Sequence, residues 1–268
     1  MRTIFTWMIE NFYNKNPFLR KIIMKLLFRD QNCTINLFNR ELIINSIKEN
    51  GYYRASRLCS TSGLLRDEIS VILNISAIIS PGDTFIDVGA NVGIFSSLLS
   101  RYKSLIPNFD IYAFEANYDT YFRLVENAKK NGFQAYNIAI SDREGELEFV
   151  GGAVSHVFTT LANASRYNFT HKITKVKCER LDKLDIKGQS IILKIDVEGQ
   201  EIQILKGAKS LFDQNRIKAV YIDGFSDAKG VIDFLQLYGF SLWDGRKLIK
   251  TDGNIFSLLA IAPQHKQN

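Results

Sequence analysis

The sequence predicts an α/β protein built on a doubly wound, mostly parallel sheet with an antiparallel hairpin at one edge. Three observations predict it. From residue 84 onward, short β-branched and aromatic runs alternate with helical patterns, as in a parallel sheet with crossover helices on both faces. The stretch "FIDVGANVGIFSS" (85–97) takes an apolar strand through an aspartate and two glycines into a helix. The last two strand candidates, "FSLWDG" (240–245) and "NIFSLLAIA" (254–262), have no helix between them, so they close the sheet as a hairpin.

The elements follow in order. Residues 1–30 read as helical, and "FLRKIIMKLLF" (18–28) sets basic residues among large apolar ones. Two readings fit that segment: a helix lying on a membrane surface with Lys and Arg at the headgroups, or a helix packed on the domain or on a second copy of the chain. Residues 34–57 read as short strands around a turn at Asn50-Gly51. Residues 65–79 return to a helical pattern through Ile69, Ile72, Leu73 and Ile78, and "SPGD" (80–83) is a turn. "TFIDV" (84–88) is a strand and 91–101 a helix; "DIYAFEA" (110–116) is a strand, and 118–131 a helix stopped at Asn131-Gly132. "QAYNIAI" (134–140) is the third strand of the series and "SIILKIDV" (190–197) the fourth, followed by a helix over 199–213. "KAVYID" (218–223) is the fifth, and a helix over 227–238 ends at Gly239. The alternation breaks between 141 and 188, which reads as a β-rich insertion over the site. We therefore expect a helical and short-strand extension over 1–60 and one α/β domain over 61–263.

Composition agrees with one folded domain. The 268 residues are 46% hydrophobic, enough for one substantial core. The net charge of +6 permits an anionic partner without choosing one, and no nucleic-acid-binding motif stands out. Cys33, Cys59 and Cys178 are far apart and form no C-x-x-C pair, which argues against a disulfide framework or a zinc site and for a reducing cytoplasm. The apolar runs of the N-terminus are too interrupted for a spanning helix or a signal peptide. The expected location is cytoplasmic, with the inner membrane surface or a homo-oligomer as the two destinations of residues 1–30.

The chemistry starts at Asp87. D-x-G-x-x-x-G at a strand–helix junction suits an adenosyl ligand with an amino-acid tail, because Gly89 and Gly93 let backbone, ligand and helix end approach closely. It lacks the G-x-G-x-x-G of dinucleotide sites. Glu115 ends the next strand in "YAFEAN", where an acid accepts both hydroxyls of a ribose.

"FIDVGANVG", "YAFEAN", "ERLDKL" and "LKIDVEGQEIQILKGA" (193–208), in this order, closely resemble the FkbM family of S-adenosylmethionine-dependent methyltransferases over roughly residues 80–245. The resemblance implies the class I methyltransferase sheet, S-adenosylmethionine as donor and an oxygen acceptor, most often a sugar or glycan hydroxyl. It implies that Asp87, Gly89, Ala90, Asn91 and Gly93 line the methionine side of the donor. Glu115 then holds the ribose with Ala116 and Asn117 nearby, and Ile140, Ser141 and Asp142 border the adenine. Asp196 stands near donor and acceptor. Where the family commonly has a glutamate at the end of the fifth strand, this chain has Asp223.

A hydroxyl acceptor needs a group to take its proton. The candidates are Asp196, His156, Asp223 and Glu198, with His156 in a glycine-rich part of the insertion. Asp196 and Asp223 end neighbouring strands, so a proton, a lysine or a divalent ion such as magnesium is expected between them. Two other classes compete with the enzyme reading. One is a cofactor-binding protein that keeps the fold without turnover, against which the intact acids Asp87, Glu115 and Asp196 argue. The other is a nucleic-acid methyltransferase, whose N/D-P-P-Y motif is replaced here by "KIDVEG".

Overall fold

The computed structural model of the chain describes residues 29–57, 63–151, 158–160, 173–253 and 255–263. His156 and the 18–28 segment lie outside the described residues. A hairpin of β1 (Asn32–Leu37) and β2 (Arg40–Asn45) leads into α1 (Asn50–Arg57) and α2 (Gly63–Ser76). Then come β3 (Asp83–Val88), α3 (Ile94–Leu99), β4 (Asp110–Phe114), α4 (Tyr118–Asn131) and β5 (Gln134–Tyr136). Four short strands follow: β6 (Ala139–Ile140), β7 (Gly145–Gly151), β8 (Phe158–Thr160) and β9 (Ile173–Glu179). The chain closes with β10 (Ser190–Ile195), α5 (Glu201–Gly207), α6 (Lys209–Asp213), β11 (Ile217–Asp223), α7 (Ala228–Leu237), β12 (Ser241–Asp244) and β13 (Ser257–Ile261).

The central sheet has seven strands in the order β12-β13-β11-β10-β3-β4-β5. Strands β3, β4, β5, β10 and β11 are parallel, and β13 runs antiparallel to β11 and β12. The chain moves outward from β3 through β4 to β5, then returns to β10 on the other side of β3. The order reverses between β3 and β10, and ligands of open α/β sheets bind at the carboxyl ends of the strands beside such a reversal.

Side chains of successive strand residues face opposite layers, with period two. Phe85, Ile111, Ile192 and Ala219 join one buried layer, together with residues of the hairpin, α1 and α2. Ile86, Tyr112, Leu193 and Val220 join the other, with residues of α5, α6 and α7. The hairpin is tied down by Asn127 of α4. Its side-chain oxygen accepts from the Ile43 N–H (2.6 Å), and its amide donates to the carbonyls of Ile43 (2.9 Å) and Val92 (2.8 Å). A buried Arg123–Glu49 ion pair at 2.6 Å fixes the entry to α1 on the same helix. Residues 43–57 are thereby held against the sheet domain, on the side of the site.

Three sequence expectations are corrected. The N-terminal strands turn at Phe38 and Asn39, both left-handed (φ 49° and 61°), not at Asn50-Gly51, which starts α1. Two left-handed residues in a two-residue loop match the twist of a hairpin. The strand expected over 134–140 is divided: Gln134–Tyr136 edges the central sheet, and Ala139–Ile140 pairs with β9 in a separate sheet of order β6-β9-β7-β8. The helix expected over 199–213 breaks at Ala208 into α5 and α6. Among the described residues no helix is long and apolar enough to cross a membrane.

Candidate active site

After β3 the chain turns at once through Gly89 (φ 72°), Asn91 (φ 52°) and Gly93 (φ 81°). The N–H groups of Gly89 and Ala90 both donate to the Phe114 carbonyl at 3.0 Å, which pins the turn to the end of β4. A Cβ on Gly89 would stand 1.9 Å from the backbone carbonyl oxygen of Asp196, and one on Gly93 would stand 2.7 Å from Leu124 and 3.0 Å from Phe133. These glycines make room first for the protein's own backbone and core; Gly89 also lines the site, whereas Gly93 lines neither of its two cavities.

Asp87 is fully buried, accepts from the Ser96 hydroxyl at 2.7 Å and from the Lys194 ammonium at 2.9 Å, and faces neither cavity. Lys194 lies opposite Asp87 in the β3–β10 register and also meets Asp196 at 3.5 Å. Burial alone lowers the Lys194 pKa, but the carboxylates of Asp87, Asp196 and Asp223 outweigh it and the net shift is upward. Its ammonium sits 5.1 Å over the Phe95 ring. Lys194 thus meets Asp196, while the cation that faces Asp223 is Arg246, at 3.8 Å. Among the described residues no group of three or more His, Cys, Asp or Glu is placed to hold a metal ion, so the magnesium expectation finds no support.

Glu115 closes the first cavity, a cleft of about 100 Å³. Its two oxygens accept from the N–H groups of Asn91 (2.9 Å) and Asn117 (2.8 Å). Burial raises its pKa to about 7 against those two hydrogen bonds. Each carboxylate oxygen has a second lone pair, so the group can still receive two hydroxyls. Ala116, Ile138, Ile140 and Phe149 give the cleft apolar walls. Asn117 instead caps α4 through its side chain, which accepts from Asp119 and Thr120. Ser141 and Asp142 face neither cavity; Ser141 N–H donates to the Glu179 carbonyl.

The second cavity measures about 840 Å³ and is roofed by α1 and α2. Asp196 and Glu198 line both cavities, with Gly89, Asn91 and Val197, so the two spaces meet at the end of β10. Burial raises the Asp196 pKa to about 6; Lys194 opposes the rise, and Asp223 and Asp87 add to it. The side chain keeps 49% of its surface open, so water screens part of that rise until a ligand displaces it. The Glu198 carbonyl accepts from the Thr159 hydroxyl at 2.5 Å, joining the inserted sheet to this junction. Asp223 lines the second cavity, accepts from the Tyr221 hydroxyl at 2.9 Å and faces Arg246 at 3.8 Å.

Two residues of this cavity were not found in the sequence. Glu68 of α2 accepts from the Tyr52 hydroxyl of α1 at 2.8 Å, and both line the wall. The signal was present: Glu68 falls on the i, i+3, i+4, i+7 stripe of α2 with the buried Val71, Ile72 and Ile75, a face where an acid needs a reason.

The family described as "Methyltransferase FkbM domain" matches residues 87–242. The chain belongs to the FkbM methyltransferase family. The match begins at Asp87, and it spans Glu115, Lys194, Asp196 and Asp223. The hexuronic acid methyltransferase AglP of Haloferax volcanii is 27% identical over 177 residues, 64% of this chain and 69% of that protein. Among solved structures, the FkbM methyltransferase of Methylobacillus flagellatus aligns with 14% identity and a TM-score of 0.46, over 72% of this chain and 47% of that one. A TehB-like SAM-dependent methyltransferase of Corynebacterium glutamicum aligns at 13% identity and a TM-score of 0.41, over 80% of this chain and 96% of that one.

Proposed function

We propose that this FkbM-family chain transfers a methyl group from S-adenosylmethionine to a hydroxyl oxygen of a sugar or glycan. The observation that carries the reading is the meeting of two cavities at Asp196, one closed by a carboxylate with spare lone pairs and the other large and lined by acidic and basic side chains. The donor set suits the cofactor. Glu115 would hold the ribose hydroxyls, Ile138, Ile140 and Phe149 would flank the adenine, and Gly89, Ala90 and Asn91 would border the amino-acid end. When bound, the cofactor supplies a methyl group already activated on a sulfonium.

The protein's own work is then alignment, exclusion of water and handling of one proton. A hydroxyl is a weak nucleophile until a base takes its proton. Asp196 stands where the cavities join and keeps its carboxylate accessible, so it is assigned that role, with Lys194 fixing its orientation. Asp223 and Glu198 contribute negative potential that favours a cationic donor. The sugar assignment draws on the hexuronic acid methyltransferase named above.

A screen with methyl-labelled S-adenosylmethionine against sugar nucleotides, lipid-linked glycans and small polyols tests the reading. A labelled product stable to mild alkali is the expected ether; an alkali-labile product would be a methyl ester and would move the acceptor atom from a hydroxyl to a carboxylate. No transfer to any pool, with cofactor still bound, would favour a binding protein.

Two further results are expected. Glu115→Ala weakens binding of the cofactor and its demethylated product by about 2–3 kcal/mol through loss of charge-assisted hydrogen bonds; unchanged affinity by calorimetry would remove the ribose assignment. Turnover falls as pH drops through about 6, where Asp196 gains its proton. The group's pKa is raised, so the active carboxylate is the high-pH form and the rate levels off above that point. A rate that stays flat between pH 5 and 7 would show that Asp196 is not the base.

A further inference from the structure

The feature left unexplained is the carboxyl of Glu68. Its Oε1 takes the Tyr52 hydroxyl at 2.8 Å, while its Oε2 is shielded from solvent and has no hydrogen-bond partner among the described residues. Native structures leave few such groups, because an unpaired buried polar atom forfeits its hydration without return. This one borders the 840 Å³ cavity and faces the charges of Asp196, Lys194 and Asp223 across it. It also lies outside residues 87–242, so it is no part of the matched family domain.

Resting on the reading that this cavity takes the acceptor, we propose that Glu68, held by Tyr52, binds a hydroxyl of the acceptor sugar through Oε2, which a turn of the carboxyl brings out of its shielded position. The chemistry selects a hydroxyl over other groups. Tyr52 donates to Oε1, so a proton on the neutral acid sits on Oε2 and makes it a donor; in the ionised form Oε2 is an acceptor. A hydroxyl satisfies either state because it both donates and accepts. Burial raises the Glu68 pKa to about 8, with Asp196 and Asp223 adding to the rise and Tyr52 and Lys194 opposing it. Both states are thus accessible near neutrality, and the residue positions the acceptor rather than acting as the base assigned to Asp196.

The test measures binding, without turnover. The full chain is loaded with S-adenosylhomocysteine, the demethylated product, and titrated by ligand-observed NMR with methyl β-D-glucoside and with methyl β-D-glucuronoside, both of which carry vicinal hydroxyls. Glu68→Ala is expected to weaken sugar binding about tenfold while product affinity by calorimetry stays unchanged. Glu68→Gln, whose amide also donates and accepts, is expected to stay within about threefold of wild type. Unchanged sugar affinity in Glu68→Ala would overturn the proposal, as would equal losses in Ala and Gln. A wild-type chain that binds the product but neither sugar would overturn this inference alone; one that fails to bind the product would overturn the cofactor reading beneath it as well.

Discussion

A Gly89→Val chain is expected to lose much of its stability, and its cofactor site as a consequence. Two effects add at this position. The backbone is left-handed, with φ at 72°, which is a strained state for a β-branched residue. The new Cβ would also stand 1.9 Å from the Asp196 carbonyl oxygen and 2.9 Å from its carbon. These are backbone atoms at the end of β10, held by the Asp196 N–H bond to the Val88 carbonyl at 3.0 Å, so they cannot swing aside. Strain and overpacking each cost about 1–3 kcal/mol, which sums to about 4 kcal/mol against a total stability of the same order as that of any domain. Gly93→Ala provides the comparison. It is equally left-handed, but its clash at 2.7 Å is with the tip of the Leu124 side chain, which can change rotamer. Urea unfolding should therefore rank Gly89→Val well below Gly93→Ala. Equal midpoints for wild type and Gly89→Val would show that the turn and the end of β10 are not packed as described.

The same glycine shows how far the sequence could be read. That a strand ends at Asp87-Val88 and turns into a helix is visible locally, because apolar runs and glycines punctuate the chain there. What the missing side chains make room for depends on β10, more than a hundred residues later, and no local pattern carries that. The place of Glu115 was legible because an acid at a strand end faces the open edge of the sheet wherever the strand sits. The ion pair of Asp87 was not, because its neighbour in the sheet, Lys194, decides which way its charge is satisfied. The break at 137–138 was hidden inside one apolar run, "QAYNIAI", in which a strand leaving one sheet for another keeps its composition. Glu68 and Tyr52 come from two helices that meet only in the folded chain. Of that pair, only the placement of Glu68 on the buried stripe of α2 could have been seen in advance.

Lys194→Met is expected to produce the other large effect. The lysine is 2% exposed and Asp87 is 0% exposed, with 2.9 Å between their charged atoms. Methionine keeps much of the stem and its packing on Phe95, but removes the only cation bonded to Asp87 among the described residues. Asp87 would keep the Ser96 hydroxyl at 2.7 Å and face Asp196 with no charge between them. Breaking a buried pair by removing one partner costs about 3–5 kcal/mol, because the charge left behind has neither water nor counter-ion. The loss should depend on pH with a definite sign. Without the ammonium, the Asp196 carboxyl loses the charge that opposes its upward shift, and burial pushes it further up. A raised acid is most compatible with the fold when protonated, so the variant's deficit against wild type should shrink as pH falls and grow as pH rises. The double variant Asp87→Asn/Lys194→Met removes the stranded charge while leaving a group that can accept from Ser96. It should be more stable than Lys194→Met alone, although it lacks one more native charge. If thermal unfolding at neutral pH places the double variant below the single one, the pair does not act as a compensated unit, and the lysine's contribution would have to lie with Asp196 and the cavity instead.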